Sequence, residues 1–275
     1  MAFSISVLAA DISVPHDAIA GSKLSIETSG SGDATALVIG PSHIVSKKIV
    51  LGRPIDLTGE DLADAGHYIL ILETADGKTT KSFMVLAGKP AHLSFVTHPS
   101  RAPVAQKDGI NGTVYAFDAY NNLISTSMTV DFKLYGAKAG KIERQVVGKN
   151  GAAAVSMDSP RSEGPLTFQA SSEGVSATRV VRVVADEPCT LRIHASPVSK
   201  GIRVETDPVK DCSGNPVPDG TLVTFTEWDA QGRTTVDASV KKGIALADLP
   251  ASGEVRVSAA SGVALGNEIK LRATP

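Results

Sequence analysis

The chain has 275 residues, and its 27 Lys and Arg against 29 Asp and Glu give a formal net charge of -2. This near balance argues against a nucleic-acid-binding protein, which would carry a basic excess. An aromatic content of 4% argues against an aromatic-lined ligand groove. No apolar run approaches the ~20 residues of a membrane-spanning helix, so we expect no membrane span.

Short apolar runs of strand length follow one another along the chain, separated by turns rich in Gly, Pro, Asn and Asp. In chain order they include residues 23–27, 68–73, 113–117, 180–184, 222–226 and 254–258. The first 14 residues lack the basic region of a signal peptide and are interpreted as a strand. One helical turn is predicted at 58–65, where Thr58 and Asp61 resemble a capping box. Strands spaced by about 8–12 residues predict an all-β protein.

Two prolines mark the predicted domain boundaries. Pro90 and Pro188 each follow an apolar strand and each open a new one, PAHLSF and PCTLRI. Proline cannot donate to a continuing ladder and is tolerated at the first residue of a strand. The sequence therefore predicts three tandem Ig-like antiparallel β-sandwich domains, residues 1–88, 89–186 and 187–275.

The second and third predicted domains repeat one another. DAYNNLI at 118–124 matches DCSGNPV at 211–217, so Asn122 follows Asp118 as Asn215 follows Asp211, and a Gly-led strand begins 29 and 28 residues later. Asp and Asn side chains hydrogen-bond their own backbone in turns, so these four residues are predicted to be structural. Calcium binding is the alternative, but neither loop offers a D-x-[DN]-x-[DN]-G array, and no metal site is predicted.

These segments resemble the bacterial Ig-like domain of the invasin and intimin type, which carries a D-x-x-G-N-P-V loop, a V-x-F strand and a G-x-A strand. DCSGNPVPDGTLVTF (211–225) and GIALADL (243–249) match closely, whereas DAYNNLISTSMTVDF (118–132) and GAAAVSM (151–157) match more loosely. The resemblance covers about residues 89–275. It implies spacer or adhesion roles at bacterial surfaces.

The first predicted domain carries a different signal, DAGHYIL at 64–70. This segment resembles the tyrosine corner of Ig-type sandwiches, with Tyr68 as the corner residue and Asp64 four positions before it. Leu70 stands where such domains place a cysteine. Asp76-Gly77 is predicted to close the hairpin that follows.

The two cysteines, Cys189 and Cys212, lie near the starts of the first strand and the first loop of the third domain. A sandwich could bring them together at one end, which favours a disulfide, with two unpaired thiols as the alternative. A disulfide would favour a periplasmic or extracellular location. Strand alternation places Glu227 on the inner face and Trp228 on the outer face with Leu222, Thr224 and Thr226. Trp228 is therefore a candidate recognition residue, with packing against a neighbour as the alternative.

No motif of a known catalytic or nucleotide site occurs: G-x-S-x-G, G-x-x-x-x-G-K-[ST], G-x-G-x-x-G and H-E-x-x-H are all absent. We therefore predict no catalytic residues and no cofactor. The leading hypothesis is a non-catalytic, exported protein of structural or adhesion type, whose partner is another protein or a surface glycan. A carbohydrate- or peptide-binding module and an enzyme with an atypical site are the alternatives. The sequence does not predict the oligomeric state.

Overall fold

The computed structural model describes residues 11–273, so the prediction for the first ten residues lies outside the described range. Within that range the backbone forms strands and turns, and it contains no helix. The helical turn predicted at 58–65 is therefore wrong. Thr58 and Asp61 do make the reciprocal bonds of a capping box, with N···O distances of 2.8 and 3.3 Å. The backbone nevertheless does not continue as a helix after Asp61, because the residues that follow lack the apolar spacing of a helix.

The first domain contains eight of the described strands: β1 (Ile12–Ser13), β2 (Asp17–Ile19), β3 (Leu24–Thr28), β4 (Asp33–Ile39), β5 (Ile44–Val50), β6 (Ile55–Leu57), β7 (Gly66–Thr74) and β8 (Gly77–Leu86). They form a three-stranded sheet in the order β1-β3-β6 and a five-stranded sheet in the order β2-β8-β7-β4-β5. The pairing of β2 with β8 is parallel and the other ladders are antiparallel.

The second domain repeats this arrangement with β9 (His92–His98), β10 (Arg101–Pro103), β11 (Ile110–Phe117), β12 (Met128–Gly136), β13 (Gly140–Gly148), β14 (Ala152–Met157), β15 (Gly164–Ser172) and β16 (Val175–Val184). Its sheets have the orders β14-β11-β9 and β10-β16-β15-β12-β13. The larger sheet matches that of the first domain strand for strand, including one parallel edge pair, β10 with β16. The sequence showed no repeat between these two domains.

The third domain contains β17 (Pro188–Thr190), β18 (Ile193–Val198), β19 (Gly201–Thr206), β20 (Lys210–Asp211), β21 (Leu222–Asp229), β22 (Gly232–Ser239), β23 (Leu246–Leu249), β24 (Gly253–Ser261), β25 (Ala264–Leu265) and β26 (Ile269–Ala273). The larger sheet has the order β22-β21-β24-β25, with β26 also paired to β24. The smaller sheet is β18-β19-β23, and β17 pairs separately with β20.

Three separate clusters of buried apolar residues form the cores, one in each domain. In the second, Phe95, Phe132 and Phe168 meet with ring centroids 5.0 to 6.1 Å apart. Alternating strand residues supply each core, because successive side chains of a strand point to opposite faces. The predicted class, three tandem Ig-like β-sandwiches, is confirmed. We propose that the domain boundaries are those that the sequence predicts, at 88/89 and 186/187.

Candidate functional site

The Asp118 carboxylate lies at the junction between the first and second domains and is buried. Its Oδ2 accepts a hydrogen bond from the backbone N–H of Gly88 in the linker, at 2.9 Å, and another from the side chain of Asn122. Its Oδ1 accepts from the backbone N–H groups of Tyr120 and Asn122, each at 2.9 Å. One side chain therefore fixes both its own loop and the linker that precedes the domain.

Asn122 extends from this loop to the first domain. Its Nδ2 donates to the carbonyl of Ala63 at 2.8 Å, and its Oδ1 accepts from the N–H of Ala65 at 2.8 Å. The amide thus binds a neighbouring backbone through both a donor and an acceptor, as one residue of a β-ladder does. The ring of Tyr120 lies against Gly21 of the first domain, where an added Cβ would fall 2.0 Å from a ring carbon.

The second junction repeats this arrangement. Asp211 Oδ2 accepts from the linker N–H of Asp186 at 3.1 Å, and Oδ1 accepts from the loop N–H groups of Ser213 and Asn215. Asn215 donates to the carbonyl of Arg161 at 2.8 Å and accepts from the N–H of Glu163 at 3.4 Å, both in the second domain. We call each pair, Asp118 with Asn122 and Asp211 with Asn215, an interdomain clamp.

The charge state of both clamps follows from their hydrogen bonds. Burial alone would raise the pKa of Asp118, but the N–H donors of Asn122, Gly88 and Tyr120 outweigh it and hold that pKa below its usual range. The pKa of Asp211 is lowered in the same way, by Asn215, Asp186 and Ser213 against burial. Both carboxylates are thus ionised and face N–H groups, which repel a cation. The geometry therefore gives the calcium alternative no support.

The tyrosine corner stabilises the loop of the first domain to which Asn122 is hydrogen-bonded. The Tyr68 hydroxyl donates to the carbonyl of Asp64 at 3.1 Å, and its buried ring stacks on Phe83 at 5.5 Å. Burial, with a smaller contribution from Asp64, raises the pKa of Tyr68. Asp64 lies between Ala63 and Ala65, whose backbone groups bind Asn122. The sequence predicted the corner and the clamp residues as separate local turns, and the structure brings them together.

Cys189 and Cys212 form a disulfide, with their Cα atoms 4.9 Å apart. Cys212 directly follows Asp211, and Cys189 directly follows Pro188, which is the ladder partner of Asp211. The disulfide therefore ties the second clamp loop to the strand that leaves the linker. The corresponding positions of the first junction are Ala91 and Ala119, so the first clamp has no such tie.

Trp228 lies half-buried on the outer face of the third domain's larger sheet. The guanidinium carbons of Arg256 and Arg233 lie 4.6 and 5.7 Å from the centroid of its ring. Thr226, which alternation places on the outer face, is buried there between its cross-strand neighbours Thr235 and Ser258.

Glu227, the residue before Trp228, is only 1% exposed. Its Oε1 has no hydrogen-bond partner within the described residues. Burial, and then the charge of Asp229, raises the pKa of Glu227. The structure thus places a carboxyl group on the core face of β21, beside the side chain of its cross-strand neighbour Thr234. Its inward direction follows from strand alternation, but the unpartnered Oε1 could not be read from the sequence.

Searches of protein-family models and of curated protein sequences find no match. Solved structures do match. FdeC, an Escherichia coli adhesin, aligns over 98% of both chains at 14% identity with a TM-score of 0.67. InvD of Yersinia pseudotuberculosis aligns over 97% of both chains at 12% identity with a TM-score of 0.55. Invasin, a bacterial integrin-binding protein, is 13% identical with a TM-score of 0.53, and the alignment covers 98% of this chain and 60% of invasin.

The chain shares its fold with these three structures. The resemblance to invasin-type Ig-like domains, carried by residues 211–225 and 243–249, is confirmed at the level of fold. Residues 11–273 contain no helix of the length and apolarity that crossing a membrane requires. In the same range, no group of three or more His, Cys, Asp or Glu side chains is arranged to hold a metal ion.

Proposed function

We propose that this chain is a non-catalytic, exported spacer of adhesion type, whose interdomain clamps restrict the motion of its three domains. The observation that carries the proposal is the use of the same four kinds of contact at both junctions. In each, Asp binds the linker and its own loop, while Asn binds the preceding domain through a donor and an acceptor.

The clamps act at the points where a domain chain would otherwise bend. Domains joined in one chain move relative to each other unless their interface is substantial. Here the linker N–H of Gly88 or Asp186 is bonded to the domain that follows, so the linker has little freedom of its own. The Asn side chain then joins that domain to a loop of the preceding one. A spacer that presents a binding surface at a distance needs this resistance to bending.

Location and partner are parts of the same proposal. The exposed Cys189–Cys212 disulfide supports an oxidising compartment, periplasmic or extracellular. The fold shared with the adhesin FdeC supports a role in adhesion, with another protein or a surface glycan as the partner. The fold shared with FdeC, invasin and InvD supports a non-enzymatic role.

Backbone ¹⁵N relaxation by NMR on the full chain tests the spacer proposal. We expect neighbouring domains to tumble together in the wild type and to tumble separately when Asn122 and Asn215 are both replaced by alanine. Asn111→Ala is the matched control, because Asn111 is exposed and, among residues 11–273, its side chain bonds only Ser156 of its own domain. Separate tumbling in the wild type, or unchanged tumbling in the double variant, would overturn the proposal.

A further inference from the structure

The outer face of the larger sheet carries an equivalent row of four cross-strand neighbours in each domain. The register of the strands defines the rows as Ile44, Ile39, Ile69 and Ser82 in the first domain, Lys141, Tyr135, Thr167 and Val180 in the second, and Arg233, Trp228, Arg256 and Lys270 in the third. The third row alone combines an aromatic residue with three cations. The fold therefore does not require that combination.

The third row is an ordered arrangement. Arg233 and Arg256 come from the strands on either side of β21, and both guanidinium groups lie over the Trp228 ring. A cation over an indole face is held by the ring quadrupole, which fixes its direction. Lys270 is the next neighbour beyond Arg256. With strands about 4.8 Å apart, the row extends for roughly 14 Å across the sheet.

A second departure from the repeat lies directly behind this row. Glu227 occupies the position that Val38 and Leu134 occupy in the first two domains, where both are buried and apolar. Natural sequences break local rules of this kind most often at functional sites. Both departures lie at adjacent residues of β21, Glu227 and Trp228, and the equivalent residues of the other two domains show neither. They therefore indicate a functional site at this end of the sheet.

A cleft of about 610 Å³ opens beside the row, within the size range of small-ligand sites. Trp228, Arg256, Lys270 and Arg272 line it together with the carboxylates of Glu254 and Asp229. The Asp229 carboxylate is occupied by the N–H groups of Gln231, Gly232 and Ser252, which lower its pKa. Glu254 is therefore the lining carboxylate with capacity to accept from a ligand.

The cations of the cleft have capacity for a ligand as well. The nearest acid to Arg256 is Glu268, at 3.7 Å between Nη1 and Oε2, and both side chains are about half exposed. An exposed ion pair of this length contributes little. Within residues 11–273, no hydrogen bond engages the guanidinium group of Arg256 or the ammonium group of Lys270. The Trp228 ring orients the guanidinium group of Arg256, and the donors of both exposed side chains face solvent.

We propose that this cleft binds an acidic saccharide, a sugar that carries a carboxylate. A planar guanidinium group binds a carboxylate through two parallel hydrogen bonds, which Arg256 can offer with Lys270 beside it. Sugar hydroxyl groups would donate to Glu254. A purely acidic peptide would be repelled by Glu254, whereas a saccharide bearing both a carboxylate and hydroxyl groups matches the mixed lining. The guanidinium groups cover the indole, so the ring orients the cations and does not stack on the sugar.

A binding titration on the full chain tests this assignment, with sialyllactose as the probe and neutral lactose and pentaglutamate as comparisons. We expect sialyllactose to shift the amide NMR signals of β24 and β26, and lactose to leave them unchanged. The Arg256→Gln and Lys270→Gln double variant should bind about tenfold more weakly or worse, because it loses the charge-assisted bonds. The same change in charge at Lys138 and Lys141 of the second domain is the control and should leave binding intact.

Three results would each overturn the assignment. They are no binding of sialyllactose or of a glucuronate-containing tetrasaccharide by the wild type, undiminished binding by the double variant, and binding of pentaglutamate as tight as that of the saccharide. Because all exchanged residues are exposed, thermal unfolding of each variant should match the wild type. The inference rests on the proposed function for its glycan partner, but neither clamp contributes to the cleft, so a failed titration would leave the spacer role standing.

Discussion

Replacing Asn122 with alanine removes the two hydrogen bonds that cross the first junction, from Nδ2 to Ala63 and from Ala65 to Oδ1, each 2.8 Å long. A protein hydrogen bond contributes on the order of 1 kcal/mol net, so opening the clamp should become easier by about 2 kcal/mol. The Ala65 amide reports on this opening directly, because its acceptor belongs to the other domain. Native-state hydrogen exchange of that amide should accelerate by about thirtyfold, since each 1.36 kcal/mol is tenfold.

The remaining amides of the first domain provide the internal control. Those of β7 pair with β4 and β8, within one domain, and should exchange as in the wild type. The Asn111→Ala variant should leave the Ala65 rate unchanged. An Ala65 amide that already exchanges freely in the wild type, or one that keeps its protection in Asn122→Ala, would show that the side chain does not hold the domains together.

Three further predictions follow from the charges and the covalent bond. The Cys189→Ala and Cys212→Ala double variant should unfold its third domain at lower denaturant concentration, with a loss of about 3.4 kcal/mol from the chain-entropy relation for a separation of 23 residues; an unchanged midpoint would contradict it. Glu227→Leu should stabilise the third domain by about 1–3 kcal/mol at neutral pH. Because burial raises the pKa of Glu227, the wild type should lose stability as pH rises through that pKa, and the advantage of the variant should shrink in acid. The lowered pKa values of Asp118 and Asp211 predict the opposite trend for the clamps, whose stability is present above the ordinary carboxyl pKa and lost as pH falls through the lowered values. The protection factors of the Gly88 and Asp186 amides, corrected for the intrinsic exchange rate at each pH, should fall in acid, and equal protection factors at both pH values would count against the assignment.

The local part of this structure could be predicted from the sequence, because it depends on near neighbours. The turn geometry of Asp118 with Asn122 and the inward direction of Glu227 follow from short-range patterns. The attachment of Asn122 to Ala63 does not, because those residues are 59 positions apart and meet only when two domains have folded. The guanidinium pair over Trp228 was missed for a related reason. It depends on the register of three strands, which the sequence does not specify at single-residue precision.

The structural equivalence of the first two domains could not be predicted from a shared sequence motif either. Their larger sheets have the same strand order, yet the first domain has no D-x-x-x-N loop at the corresponding place. That loop serves a junction with a preceding domain, so a domain can lack it and keep its fold. The D-x-x-x-N motif that repeats in the sequence therefore reflects the interdomain contacts as well as the sandwich fold.

The disulfide also determines how the chain would respond to a pulling force. If the ends were drawn apart until the third domain unravelled, the segment between Cys189 and Cys212 would stay closed. At about 3.4 Å per residue, this shortens the stretched chain by roughly 80 Å. Asp211 of the second clamp lies inside this closed segment and is shielded from the load, whereas Asn215 lies beyond Cys212 and is not. The second domain has alanines, Ala91 and Ala119, at the corresponding positions. Its equivalent segment would therefore extend to its full length under the same force.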